Sequence, residues 1–159
     1  MLPNNNNYPS LDAMPFEVEC PTDIIQGYFD ALHFVMGSPD FEAYDGVSPS
    51  LSIAAVALCE RFYRANEADI EEGDDNSEFG RYGISQLGHD LYMTTQGHGV
   101  GFWENDYPRS EGFDDWVTAN ADNRDSEYVG DDSLLYSISG DCDIDIEKLR
   151  AEFPQAFNK

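Results

Sequence analysis

The chain is expected to fold as an α+β domain in which N-terminal helices pack on a small antiparallel sheet made of two β-hairpins. Helical spacing dominates the first half of the sequence, and short β-rich runs joined by glycine-containing turns dominate the second. The apolar content, 41% hydrophobic and 13% aromatic, is high enough for a packed core and unlike that of a disordered acidic tail. A length of 159 residues suits one domain. We place an extended N-terminal arm at residues 1–20 and a single acidic domain at 21–159.

The arm carries an Asn run with Pro3, Pro9 and Pro15, and is expected to become ordered near Phe16 and Val18. Thr22 is a candidate cap for a helix reaching Met36, in which Ile25, Phe29, Leu32 and Met36 recur at helical spacing, with Gly37 and Pro39 ending it. Ser48 before Pro49 is a start signal for a second helix running to about Glu72. Its broad stripe of Leu51, Ile53, Ala54, Ala55, Val56, Leu58, Phe62 and Ala65 predicts burial on more than one side. Residues 73–77 read as a loop. A first hairpin is expected from Asp90–Thr94 and Val100–Trp103 across the turn at 96–99, then a short helix from Glu111 to Ala121. A second hairpin joins Glu127–Val129 to Leu134–Ile138 through Gly130–Ser133, and a terminal helix from Ile144 to Phe153 stops before Pro154.

Charge is the strongest compositional signal. Eight Lys and Arg face 32 Asp and Glu, a formal net charge of −24. A globule of this length is roughly 40 Å across, and about 40 Å of B-DNA carries roughly 24 phosphates. The protein therefore matches the charge of a duplex as long as itself. A halophile's acidic coat or plain solubility would also produce an acidic surface, without a partner. With Arg61 the first basic residue, no basic patch exists, so direct nucleic-acid binding is not expected. Cys20, Cys59 and Cys142 have no paired spacing, which predicts neither a disulfide framework nor a zinc site and fits a reducing cytoplasm. No leader pattern or membrane-length apolar run is read, so no membrane partner is expected.

The densest motif runs from Gly88-His89-Asp90 through Thr94 to Gly97-His98-Gly99-Val100-Gly101-Phe102-Trp103. It resembles a family of small uncharacterised bacteriophage proteins that share a G-H-D, T, G-H-G-x-G-F-W hairpin, and the run from Tyr128 to Asp132 with Tyr136 resembles that family's second hairpin. The resemblance covers roughly residues 50–138 and implies no activity. Where it implies an aromatic pair and then a basic residue after G-H-D, this chain has Leu91, Tyr92 and neutral Thr95. His89, Asp90 and His98 could serve a metal or a His-dependent enzyme; the flanking glycines, Gly88 among them, suggest tight turns with close backbone approach and favour structural roles, and no metal, cofactor or catalytic residue is assigned. Residues 141–145 with Glu152 resemble a calcium loop only in part, since Ile146 stands where glycine is required.

Acidic, compact and phage-like, the chain resembles the DNA-mimic inhibitors that phages direct at host DNA-processing enzymes. The expected function is therefore non-enzymatic: occupation of the DNA-binding surface of a host protein in the bacterial cytoplasm. Candidate partners are DNA gyrase or another topoisomerase first, a restriction or CRISPR nuclease next, with nucleoid proteins and RNA polymerase as the others. A structural phage component is the remaining option. The phosphate-mimicking candidates are Asp69, Glu71, Glu72, Asp74 and Asp75; Asp114 and Asp115; Asp131 and Asp132; and Asp141, Asp143, Asp145 and Glu147. A two-fold homodimer built on Tyr107, Phe113 and Trp116 would extend the mimic beyond one monomer.

Overall fold

The computed structural model describes residues 9–37, 44–96, 101–102, 107–121, 127–137 and 142–158, the last range without the side chains of 142–144. Among these residues the elements are α1 (Thr22–Met36), β1 (Gly46–Val47), α2 (Pro49–Asp75), α3 (Ser85–Gln96), α4 (Ser110–Asn120), β2 (Glu127–Val129), β3 (Leu134–Ser137) and α5 (Cys142–Glu152). Short 3-10 turns at Leu11–Ala13 and Pro154–Phe157 flank them. Helix predominates, and the α+β class holds.

The sheet has three strands in the order β1-β3-β2. β2 and β3 form the expected second hairpin, antiparallel with Tyr128 opposite Tyr136 and Val129 opposite Leu135. β1 adds in parallel, with Gly46 opposite Leu134 and Val47 opposite Leu135. Two residues give too little alternation to reveal such a strand in sequence. The first hairpin is overturned: its proposed strand Asp90–Thr94 lies inside α3, and Gly101 and Phe102 belong to no strand. Leu87, Leu91 and Thr95 are buried at i, i+4 and i+8, so a helical period was present beneath the β-forming residue types.

Gly88 was read as a turn residue, but it makes a helix crossing instead. A Cβ on Gly88 would lie 1.8 Å from the Ile24 carbonyl oxygen, and one on Gly27 would lie 2.0 Å from that of Ser85. The backbones of α1 and α3 can approach this closely only because both positions lack side chains.

α2 is the central helix. Ser48 caps it by accepting from the Leu51 N–H at 3.2 Å, with Pro49 in the first turn. α1 starts differently, since Pro21 rather than Thr22 occupies its N-cap and Thr22 is already helical. α2 also runs past its expected end at Glu72, because Gly73 accommodates the Phe79 ring, which a Cβ would meet at 2.3 Å. At Asn66 the backbone leaves helical geometry (φ −121°, ψ 18°), and the Asn66 side chain donates to the Phe62 carbonyl at 2.9 Å. That kink separates a buried half from an acidic half.

The buried half carries a charged cluster. Glu60, fully buried, accepts from the backbone N–H groups of Glu19 and Cys20 at 2.9 Å each and from Arg64 Nε. Burial pushes its carboxyl above the usual range, and hydrogen bonds from Cys20 and Arg64 work against that rise. Arg61 pairs with Glu152 at 2.9 Å and stacks over Trp116 at 5.5 Å, while Arg64 lies over Phe153 at 5.9 Å. The segment around Phe16, where order was expected, is anchored here. Met14, Phe16 and Cys20 are buried, Glu17 donates its N–H to the Ala156 carbonyl at 2.6 Å, and Phe16 packs 6.1 Å from Phe157. Residues 1–8 lie outside the described part.

Two glycine substitutions separate the close crossing from ordinary helix propensity. Gly88→Ala is expected to destabilise the fold by about 1–3 kcal/mol, because backbone atoms cannot yield as a side chain would. Gly112→Ala on α4, where an added Cβ meets nothing within 4 Å, is expected to stabilise by up to about 1 kcal/mol. Urea midpoints of the two variants measure the difference, and a neutral Gly88→Ala would deny the crossing its constraint.

Candidate functional site

Beyond the kink, α2 places six carboxylates in the nine residues from Glu67 to Asp75. At 1.5 Å per residue the segment is about 13.5 Å long, or about one carboxylate per 2.3 Å. B-DNA carries one charge per ~1.7 Å of axis. Ile70 and Gly73 face inward and leave the six acids exposed.

The acids divide between two sides of the helix. Arg109 spans Asp69 at 2.8 Å, Glu72 at 3.3 Å and Glu78 at 3.1 Å, joining α2 to the start of α4 and offsetting part of that side's charge. The hydrogen bond that Arg109 donates to Glu78 leads the causes that push the guanidinium above its ordinary value. Glu67, Glu71, Asp74 and Asp75 share an arc of about 100° on the other side, following 3.6 residues per turn. The Tyr63 hydroxyl lies 3.3 Å from Glu67 and 3.2 Å from Glu71, so its one proton is shared between these two carboxylates and holds them together. The sequence reading grouped Asp69, Glu71, Glu72, Asp74 and Asp75 as one row and missed both the division and the Arg109 clamp. No spacing in the chain links position 109 to position 69.

The other predicted acids are scattered. Asp114 and Asp115 stand side by side on α4, where partial burial, and then the charge of Asp115, push the Asp114 carboxyl up. Asp131 and Asp132 are exposed in the β2–β3 turn. Asp132 shapes that turn by accepting from the Leu134 N–H at 3.1 Å and from the Tyr136 hydroxyl, whose hydrogen bond holds its carboxyl below the usual range. In the last group Asp145 is buried and Glu147 exposed, so the expected solvated row along α5 is not formed by these two. Asp141 and the Asp143 side chain lie outside the described residues.

The G-H-D motif is resolved into separate roles. Gly88 makes the crossing with α1. Asp90, 2% exposed, accepts from Gln86 Nε2 at 2.9 Å and from the Tyr107 hydroxyl at 2.9 Å. Thr94 Oγ1 accepts from the Phe102 N–H at 3.0 Å, which turns the chain after α3 back on the helix. Phe102 is fully buried against Phe62 and Phe113. His89 alone faces partly outward, its Nδ1 buried 3.6 Å from Asp90 Oδ1, too far for a hydrogen bond. Gly97, His98, Gly99 and Trp103 lie outside the described residues, as does any joint site of His89 with His98.

Among the described residues no group of three His, Cys, Asp or Glu could hold a metal ion, and no helix is long and apolar enough to cross a membrane. Of the three residues expected in a dimer patch, one is buried and two are partly buried. Phe113 is buried, and Tyr107 and Trp116 pack against the same core with Phe62, Phe79 and Phe102. No family model matches the chain, and neither a curated protein nor a solved structure matches it.

The hydrogen-bonded pair of Tyr107 with buried Asp90 gives a pH signature. Burial, and then the charge of Asp90, push the Tyr107 phenol well above its ordinary value; burial and Glu127 do the same to Tyr92. Because both folded values are raised, the stabilisation is full below about pH 10 and is lost as pH rises towards the folded values. Tyr107→Phe is expected to cost about 1–3 kcal/mol at neutral pH and to make the alkaline decline shallower. Urea unfolding across a pH series tests both, and an unchanged midpoint would remove this hydrogen bond as a constraint on the motif.

Proposed function

We propose that the protein is a phage DNA mimic that binds a host DNA-binding enzyme and excludes its DNA. The single observation that carries this reading is the acidic half of α2. Even with one charge offset by Arg109, it holds about one net negative charge per 2.7 Å of helix, against about 1.7 Å for duplex DNA. Carboxylates on a folded helix are already ordered, so a basic groove meets them without ordering a flexible acidic tail.

The kink supports the same reading. It begins the acidic segment where the apolar stripe of α2 gives out, so the carboxylates lie on a surface segment rather than against the core. Within that segment Glu67, Glu71, Asp74 and Asp75 are the contact set, because Asp69 and Glu72 are held by an internal cation. Gyrase or another topoisomerase stands first among the targets by analogy with acidic phage inhibitors, and a restriction or CRISPR nuclease next. No chemical step is assigned to the protein.

The test compares two variants that lose equal charge. Converting Glu67, Glu71, Asp74 and Asp75 to Gln or Asn is expected to weaken inhibition much more than neutralising the dispersed Asp12, Asp23, Asp45 and Glu111. Inhibition by the parent protein should also fall steeply with salt, since ions screen the attraction between groove and mimic. Single exposed charges contribute only about 0–1 kcal/mol, so the grouped comparison is the informative one. Equal loss from both sets would show that bulk charge acts alone, and a mobility shift of naked duplex by the pure protein would contradict mimicry.

A further inference from the structure

His89 is the one member of the G-H-D triplet whose polar atoms the packing does not engage in a hydrogen bond among the described residues. Its imidazole lines an open cavity of about 330 Å³ over the α1–α3 crossing, together with Gly27, Asp30, Tyr82, Ser85 and Gln86. That volume lies at the small end of ligand sites.

The hydrogen-bonding character of the wall follows from the groups behind it. Asp90 Oδ1 lies 3.6 Å from His89 Nδ1, so a carboxylate stands behind the ring on the side away from its exposed edge. Gln86 donates its Nε2 to Asp90 at 2.9 Å, so its amide oxygen is turned away from that carboxylate. Ser85 Oγ donates to the Tyr82 carbonyl at 2.6 Å, which commits its proton inside the protein. Asp30 adds negative charge from α1, where Gln26 orients it through a 2.7 Å hydrogen bond. Tyr82, 61% exposed, offers an aromatic face, and its ring already receives one guanidinium, that of Arg81 at 4.8 Å. A wall of acceptors, a carboxylate and a π-face suits a ligand that carries only donors and a positive charge.

We propose that this cavity is a binding site for a guanidinium or ammonium group, held by Asp30, the Gln86 amide oxygen and the Tyr82 ring, with the His89 ring forming the wall beside them. The group can come from an arginine side chain of a protein partner or from a free small cation. The site stands apart from the mimic reading, because a small cation binds here whether or not a DNA enzyme is the partner.

The test is an NMR titration of the full chain at physiological salt, with agmatine as the free cation and a capped arginine-containing tripeptide in parallel. Saturable shifts of the His89 and Tyr82 ring signals are expected. Asp30→Asn and His89→Ala, each checked for retained fold by circular dichroism, should weaken binding roughly tenfold. Asp23→Asn removes the same charge from an exposed position on the same helix, outside the cavity, and should leave binding unchanged. Tighter binding of the tripeptide assigns the site to a partner's arginine, and tighter binding of agmatine assigns it to a free cation. Shifts that never saturate, no shift with either probe, or equal weakening by Asp23→Asn and Asp30→Asn would overturn the proposal, since only the protein's general negative field would then be acting.

Discussion

The ionised cluster at the centre of α2 ties together segments that are distant in sequence. Glu60 accepts the N–H groups of residues 19 and 20, Arg61 reaches Glu152, and Arg64 covers Phe153, so one turn of helix holds the N-terminal segment and the end of α5. Removing one partner from such a cluster leaves a buried charge uncompensated, at a cost of about 3–5 kcal/mol. Net stabilisation by the intact cluster is much smaller, because desolvation opposes it, as the raised Glu60 carboxyl indicates. Its main effect is specificity: a segment with any other hydrogen-bonding register would strand Glu60.

That placement also bears on the surface charge. Arg61 is buried and Arg64 partly buried, both paired with acids, and Arg109 is shared among three carboxylates. Few cations then remain to dilute the acidic exterior, while those inside each link two or more elements. The protein thus uses scarce positive charge for cohesion, and self-repulsion is left to be offset by the aromatic core around Phe62, Phe102 and Phe113.

Sequence made the helices legible where caps and apolar period agreed. Ser48-Pro49 and the α1 stripe placed their elements well, and the second hairpin followed from its turn residues. The motif region failed because two signals conflicted: Tyr92, Thr94 and Thr95 favour strands by type, whereas Leu87, Leu91 and Thr95 keep a helical period. The glycine tipped the reading towards a turn, since a close helix crossing depends on a partner, Ile24, that lies far away in sequence. The acid row was visible as composition but not as geometry. Helical phase separates Glu67, Glu71 and Asp74 from Asp69 and Glu72, yet only the fold brings Arg109 to the latter pair. Glu60 and Arg64 could have been noticed as an i, i+4 pair inside an apolar stripe, where isolated charges do not persist.

Charge density alone does not distinguish a mimic from an acidic coat; the distinction lies in where order is invested. A coat needs only solvated carboxylates, and nothing in its function requires them to be held. Here Tyr63 spends its hydroxyl on Glu67 and Glu71, and Asn66 bends the helix just before the acids begin. Both residues sit at the boundary between the buried and the acidic halves. Orientation of charge is what a basic groove can use and what bulk solvent cannot, so these two side chains weigh towards recognition.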